Sequence, residues 1–582
     1  MAKIEVVVFL TCEELTGKAV VEADFIASLR RFSRDSILRL CSFIALVLET
    51  YKRGSKTENV QASLLYDFFP PKVAAEFVCL LWASSERRRL LFHRRQLLLL
   101  AKYAVTHCPS NGMNAVGNML FGVLLIQAND LLDNPTPMTS TVLSSREDMA
   151  AFITTMVSAG EYAHRMPAQT FARSRKLLVD IPKKLFPTLD LNCQFESVTG
   201  LSLELYLGLS VTALAKFFRY QDSDWLKHAD EATLLANNLI VEGSSARDVN
   251  ILLNIIAASP SKLKALYAGR TARKNDSTMF RDFPFVESVA NFGLINQTQV
   301  FLPIDLEFMM DKLLGGPFWT LKATVPQFES LYWGKIFEAY TQDILTRASS
   351  GTNQSVYCNP VYADNPLEEI CDVLILCGET VVLLETKTCM LDASSKYEGK
   401  PELLLAKLEK LLVGSPEKPK AVRQLAKAVR NLFQEGNQRL AKDIDLSQVK
   451  SCFCSTVTLD YIGGAAGVAT LLSSFMDEIL DSEKLRVQFE GHYTTNIDEL
   501  ETMTGFLKST NIGGLLNLWK IQNPALGRPF GAQDIQCLKW EYPQWLEQDF
   551  RSIFDKALRH VLPKQYEKRG LSLPENQPML KS

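Results

Sequence analysis

The stretch Ile370-Cys371-Asp372-Val373-Leu374-Ile375-Leu376-Cys377-Gly378-Glu379-Thr380-Val381-Val382-Leu383-Leu384-Glu385-Thr386-Lys387 decides the reading of this chain. Two apolar runs flank Gly378-Glu379, a two-residue loop that suits a type II′ hairpin turn because Gly stands first. Closing the hairpin there pairs Cys377 with Thr380, Leu376 with Val381 and Val373 with Leu384, and sets Asp372 directly opposite Glu385. A four-residue loop centred on the same point gives the same register. Alternation along the strand puts Lys387 on the face of Glu385, together with Leu374, Leu376, Val381 and Leu383. Opposed carboxylates repel, and acids at the end of a buried apolar face need partners. A divalent cation meets that need: Mg²⁺ is a hard ion commonly held by one or two carboxylates, with water and phosphate in its other positions. The Lys387 ammonium would stabilise a hydroxide or the charge developing on the phosphoryl group. This is the chemistry of metal-assisted attack of water on a phosphodiester. The competing reading is an edge hairpin with solvated charges on its polar face.

Working outward, the pattern predicts a helix over 327–349 and strands at Val356–Tyr362, Glu369–Cys377 and Thr380–Thr388. A basic helical stretch follows over Pro401–Gln434, broken by the loop Gly414–Pro419. Then come a β-rich run at Ser451–Tyr461, a small-residue helix from Gly463, a strand at Leu485–Phe489 and a helix at Ile497–Leu507. That order gives helices flanking a short mixed sheet. Before residue 320, apolar residues recur at helical spacing in Phe25–Tyr51, Val73–Leu81, Arg88–Thr106 and Leu201–Phe218. Prolines at 70–71, 135, 137 and 187 break the pattern, and Ser144-x-x-Glu147 reads as a capping box. The expected class is therefore multidomain α and α/β. Residues 1–320 form an all-helical recognition or regulatory domain, divisible near 134–144. Residues 321–510 form the α/β domain, and 511–582 a helical extension with aromatic-rich helices over 530–560 and a frayed tail.

Asp372, twelve intervening residues and then Glu385-Thr386-Lys387 resemble the D…E-x-K signature of the PD-(D/E)xK nuclease superfamily, the restriction-endonuclease-like fold. The resemblance covers about residues 327–470. That family runs α-β-β-β-α-β, and its first helix often contributes another acid, which here would be Glu338 within Gly334–Tyr340. The resemblance implies a deoxyribonuclease dependent on Mg²⁺ or Mn²⁺. Asp372 and Glu385 would ligate the metal, with the Thr386 carbonyl a further ligand and Glu338 completing the acid shell. Lys387 would position or activate the attacking water. A basic helix follows the E-x-K strand in the family, matched here by Arg423-Gln424-Leu425-Ala426-Lys427. Gln424 resembles the glutamine of a Q-x-x-x-Y motif, although Ala428 stands in the tyrosine's place and Cys371 where the name-giving motif has proline.

The 582 residues carry 63 Lys+Arg against 65 Asp+Glu, a net charge of −2, which excludes a uniformly basic, DNA-coating protein. Positive charge is instead local. Residues 391–440 hold ten basic and six acidic side chains, a net +4, and Lys396, Lys420, Arg423, Gln424 and Lys427 are the candidate DNA-binding residues there. Arg88, Arg95 and Lys102, spaced by sevens with Arg87 and Arg94 alongside, read as a solvated helix stripe in preference to a nucleic-acid surface. None of the six histidines has metal-ligand spacing. Gly463-Gly464-Ala465-Ala466-Gly467 lacks the ending of a phosphate loop and suits close helix–sheet packing. The twelve scattered cysteines form no disulfide framework, and the best apolar run, Met119–Ile126, is too short to cross a membrane. A reducing cytoplasm is the expected location. The functional expectation is an endonuclease in DNA processing, repair, mobile-element function or defence against foreign DNA. The alternative is an inactive nuclease fold that binds nucleic acid or acts as a scaffold. Expected partners are DNA, a companion ATPase or helicase or another protein docking on the helical half, and a second copy in a homodimer where both strands are cut.

Overall fold

The computed structural model describes residues 7–522 except 53–56, 83–87, 110–113, 133–144, 161–166, 219–231, 241–242, 271–272, 275, 292–296, 437 and 466; it also describes 538, 543, 548 and 549. The helices expected over 530–560, the tail, Arg87, Ser144 and the break near 134–144 lie outside these residues, apart from the four named.

The quoted hairpin lies inside a five-stranded mixed sheet. In chain order, the elements are α1 (Gly334–Ser349), β1 (Ser355–Cys358), β2 (Val373–Cys377), β3 (Thr380–Lys387), α2 (Ala421–Phe433), β4 (Ser451–Thr458), α3 (Val468–Leu480), β5 (Gln488–Asn496), α4 (Ile497–Thr504) and α5 (Ile512–Gln522). The sheet order is β5-β4-β3-β2-β1; β1 to β3 are antiparallel, and β3 to β5 are parallel. From α1 to β4 the order is helix, three strands, helix, strand, with short helical pieces at Ala393–Tyr397 and Pro401–Val413 before α2. Cys377 pairs with Thr380, Leu376 with Val381 and Val373 with Leu384, the register read from the sequence. Gly378 takes φ 60°, while Glu379 stays out of the left-handed region, as a II′ turn requires.

Each face of the sheet buries its own set of side chains. Leu374, Val381, Leu383, Cys452 and Cys454 pack with residues of α2, α3 and the helix Arg146–Gly160. Val373, Ile375, Val382, Leu384, Phe453 and Val457 pack with residues of α1, α4 and α5. Helix α2 buries Val422, Leu425, Ala426, Val429, Leu432 and Phe433, a single stripe at helical spacing. Each large member contributes about 1.5–3 kcal/mol on leaving water. The small residues of 463–467 serve packing. A side chain on Gly464 would strike Asn496 and Glu499, and one on Gly467 would meet Phe152 and Ile153 at 3.0 Å.

The first half is mostly helical but not all-helical. Ala257–Ala258, Phe285–Asn291 and Gln297–Pro303 form a three-stranded sheet, and Val7–Phe9 pairs with Arg88–Leu90. The sequence hides the strand at 285–291 because its pattern is inverted: Ser288 is buried while Val289 is exposed. The helix Leu306–Thr324 runs through position 320, and one hydrophobic cluster continues from it into α1 and the sheet.

The basic stripe at 88–102 is corrected. Arg88 belongs to a strand, and Arg95 and Lys102 are buried. Lys102 Nζ donates to the carbonyls of Arg273 and Asp276, and Arg94 pairs with Asp305 and Glu307. The cap of the helix Arg146–Gly160 is likewise one residue later than expected: Ser145 Oγ accepts from the Asp148 N–H at 3.1 Å. The last strand extends from Gln488 to Asn496, beyond the apolar run 485–489 that signalled it. Among the described residues no single helix is long and apolar enough to cross a membrane.

Candidate active site

The ladder between β2 and β3 ends at Val373 and Leu384, one step short of the acids. At Asp372 the chain bends, so the carboxylate does not simply oppose Glu385. Instead the N–H and hydroxyl of Thr386 both donate to Asp372 Oδ2, at 2.6 and 2.7 Å. The turn toward Thr386 gives one oxygen of Asp372 two donors, while the Asp372 charge still adds to the burial that raises Glu385. Glu385 is only 5% exposed, and Lys387 Nζ donates to its Oε2 at 2.8 Å.

Glu338 joins the group from α1. Burial raises its pKa first, and Asp372 then adds to the effect. Burial also dominates at Glu385; Lys387 opposes it and Asp372 and Glu338 reinforce it, leaving the carboxyl pushed up to about 7. At Lys387, burial works against the ammonium, but Glu385 and Asp372 outweigh it and raise the pKa. Asp372, Glu385 and Lys387 therefore lie within mutual electrostatic reach, and Glu338 acts on Glu385 and is acted on by Asp372.

Two positioning residues escaped the sequence reading. Gln342, one turn beyond Glu338, donates through Nε2 to Glu338 Oε1 (3.2 Å), Asn359 Oδ1 (2.5 Å) and the Asp372 carbonyl (3.1 Å). Asn359 takes φ 51°, a left-handed conformation that Asn tolerates better than most residues, and its N–H donates to the Asp372 carbonyl at 3.0 Å. The i,i+4 spacing of Glu338 and Gln342 was an available signal. Nothing in the sequence pointed to Asn359. On the other side of Glu385, the register places Thr456, whose hydroxyl lies 2.9 Å from His492 Nε2. Burial pushes His492 down to about 3, so it is a neutral core histidine.

No protein-family model, curated protein or solved structure matches this chain.

Asp372 Oδ1 and Glu385 Oε1 accept no hydrogen bond among the described residues. Among the same residues, no three His, Cys, Asp or Glu side chains form a ready-made metal cluster. Two carboxylates with a free oxygen each suit a hard ion that keeps most of its water, as Mg²⁺ does, and not a closed structural zinc site.

The five basic-stretch residues diverge. Lys396 is buried, with its Nζ 3.7 Å from Asp460, and Asp460 and Lys387 both act on the Cys389 thiol, so Lys396 adjoins the Lys387 side of the site. Arg423 donates to the Gly414 carbonyl at 3.1 Å, and Lys427 pairs with Glu368 at 2.8 Å. Gln424 Oε1 is buried without a partner among the described residues. Lys420 is exposed at the start of α2.

Proposed function

We propose that this chain is a Mg²⁺- or Mn²⁺-dependent nuclease that hydrolyses DNA phosphodiester bonds, on a restriction-endonuclease-like fold. One observation carries the reading. Asp372, Glu385 and Lys387 come together, with Glu338 within electrostatic reach of both acids, at one end of a mixed sheet built in the order helix, three strands, helix, strand, and Asp372 and Glu385 each keep an oxygen that accepts no hydrogen bond among the described residues.

Asp372 and Glu385 would hold the ion, Glu338 would complete the acid shell, and the Thr386 carbonyl would be a further donor. A divalent ion held there would supply Lewis acidity, polarising a phosphoryl oxygen and acidifying water. Lys387, kept protonated by its acidic neighbours, faces the charge that builds on the phosphoryl group and orients the attacking water. Thr386 fixes one oxygen of Asp372, and Gln342 with Asn359 ties the Asp372 carbonyl to Glu338. These contacts set the acids in place before substrate arrives, so little reorganisation is needed during reaction.

The test uses supercoiled plasmid, single-stranded DNA and RNA with Mg²⁺, Mn²⁺ or EDTA. Wild type should cut DNA with either metal and not in EDTA, and Asp372→Ala and Lys387→Ala should each lower the rate by at least about a hundredfold. Wild type that leaves every substrate intact while still binding DNA would replace this reading with an inactive binding or scaffold protein.

A further inference from the structure

The ten basic side chains of residues 391–440 fall into two groups. Seven hold an acid or a carbonyl, as Lys407 holds Asp392 at 2.7 Å and Lys427 holds Glu368 at 2.8 Å. The other three, Lys410, Lys418 and Lys420, are exposed and have no ion-pair partner among the described residues. All three gather at one place, the turn Gly414–Lys420 and the helical piece Glu409–Val413 that leads into it.

The turn is closed and stiff. The Lys420 N–H donates to the Val413 carbonyl at 3.1 Å, the Lys418 N–H donates to the Ser415 carbonyl at 3.2 Å, and Arg423 Nε donates to the Gly414 carbonyl at 3.1 Å. Gly414 takes φ 74° and ψ −175°, a conformation essentially confined to glycine, and a Cβ there would strike the Lys418 carbonyl. Pro416 and Pro419 fix two further φ angles. The lysines thus project from backbone that is already ordered, which lowers the cost of binding. Residues 409–423 carry four basic side chains against Glu409 and Glu417, a net +2, and Ser415 bonds the Glu417 carboxylate. No large apolar side chain is exposed among the described residues of 404–439, so an occupant of this turn is held by charge and not by apolar burial.

The turn stands at the candidate site's end of the sheet. β3 and β4 are parallel, so α2, which joins them, runs back along the sheet. Its last turn meets the approach to β5, where the Phe433 carbonyl accepts from the Arg486 N–H at 2.9 Å. Its first turn therefore lies toward the end where Glu385 and Lys387 stand. Resting on the nuclease reading, we propose that the Gly414–Lys420 turn grips the DNA backbone, with Lys410, Lys418 and Lys420 neutralising phosphates that flank the one cut. Cations without acids of their own are the ones whose pairing with phosphate costs no internal ion pair. Lys407 and Lys427 already hold Asp392 and Glu368, and each would have to give up that partner first. A grip made through phosphates fixes the position of the strand and reads no base sequence.

The test is fluorescence anisotropy of a labelled 25-mer duplex with the full chain in EDTA, where nothing is cut, between about 50 and 200 mM salt. Lys418→Ala and Lys420→Ala should each weaken binding about threefold or more at the low end, and make the slope of log K against log salt shallower by about 1. Lys418→Arg should keep the wild-type slope. Lys407→Ala, which removes the same charge from a paired lysine nearby, should also leave the slope unchanged. Wild-type slopes in both Lys418→Ala and Lys420→Ala, an equal loss in Lys407→Ala, a duplex left unbound, or binding confined to RNA would overturn the grip. The two readings fail separately. Shallower slopes in a chain that never cuts DNA in Mg²⁺ or Mn²⁺ sink the nuclease and keep the grip, and cleavage by a chain whose alanine variants keep the wild-type slope does the reverse.

Discussion

Two buried acid–base clusters in this molecule look alike and differ in what they lack. At the interface between the helix Pro167–Arg175 and α4, Arg173 reaches Asp498 at 2.5 Å and Glu501 at 3.3 Å, and the Tyr340 hydroxyl donates to Glu501 at 2.6 Å. In the candidate site, Lys387 donates to Glu385 and is acted on by Asp372, and Glu338 in turn acts on Glu385. Both contain a glutamate pushed up to about 7, in each case first by burial. The Arg173 cluster has a delocalised cation with several donors and a phenol to share two acids. The Lys387 cluster has one point charge, and Asp372 Oδ1 and Glu385 Oε1 accept no hydrogen bond among the described residues. The first still leaves Glu501 Oε2 buried without a hydrogen-bond partner among the described residues, but its cation binds both acids, whereas in the second Lys387 donates to Glu385 alone of the acids.

The largest expected effect tests the Arg173 cluster. Arg173→Ala leaves Asp498 and Glu501 without their cation, and losing one partner of a buried pair should cost about 3–5 kcal/mol in denaturant unfolding. An unchanged midpoint would mean the cluster holds nothing. Next comes the Lys387 cluster. Mg²⁺ or Mn²⁺ at about a hundred times its dissociation constant should stabilise the wild type by about 2.7 kcal/mol, and Asp372→Asn should erase the effect. Equal stabilisation of both proteins would place the ion elsewhere.

A smaller effect concerns pH. Glu501 has a folded pKa near 7, above its unfolded value, so the folded chain binds the extra proton. Its contribution is full below about pH 4.5 and is lost as pH rises through about 7, on the order of 1–3 kcal/mol. Glu501→Gln, which mimics the neutral acid, should flatten the fall in stability between pH 5 and 8. A slope identical to wild type would mean that Glu501 titrates normally. Smallest is the turn that registers the acids. Gly378→Ala should cost only about 1 kcal/mol, because φ 60° is strained for a side chain while no neighbour blocks a Cβ there.

Legibility followed range of interaction. The 373–384 register was readable because a Gly-first turn between two apolar runs fixes it within fifteen residues. Helix α2 was readable because its buried stripe has one period. Strand β5 was read short, since His492, Thr494, Thr495 and Asn496 are buried polar residues whose sequence gives no apolar signal. Lys102 was misread as solvated because its partners, the carbonyls of Arg273 and Asp276, lie far along the chain. Within the site, Asp372, Glu385 and Lys387 were named from spacing alone, and Glu338 from a resemblance. The bend that turns Asp372 onto Thr386, and the Gln342–Asn359 bridge that causes Asp372 and Glu338 to share a scaffold, were not.

The sequence by itself determined the hairpin, its register, the helix order around it and the face on which Glu385 and Lys387 stand. These follow from backbone periodicity and turn chemistry, which act between near neighbours. Tertiary structure decided which charges are spent and which remain available. Lys102, Arg173 and Lys396 look like surface cations in the sequence and are buried among partners from distant segments, and Arg94 is half-buried against Asp305 and Glu307, whereas Asp372 Oδ1 and Glu385 Oε1 accept no hydrogen bond among the described residues. Charge pairing depends on three-dimensional proximity, and composition averages it away.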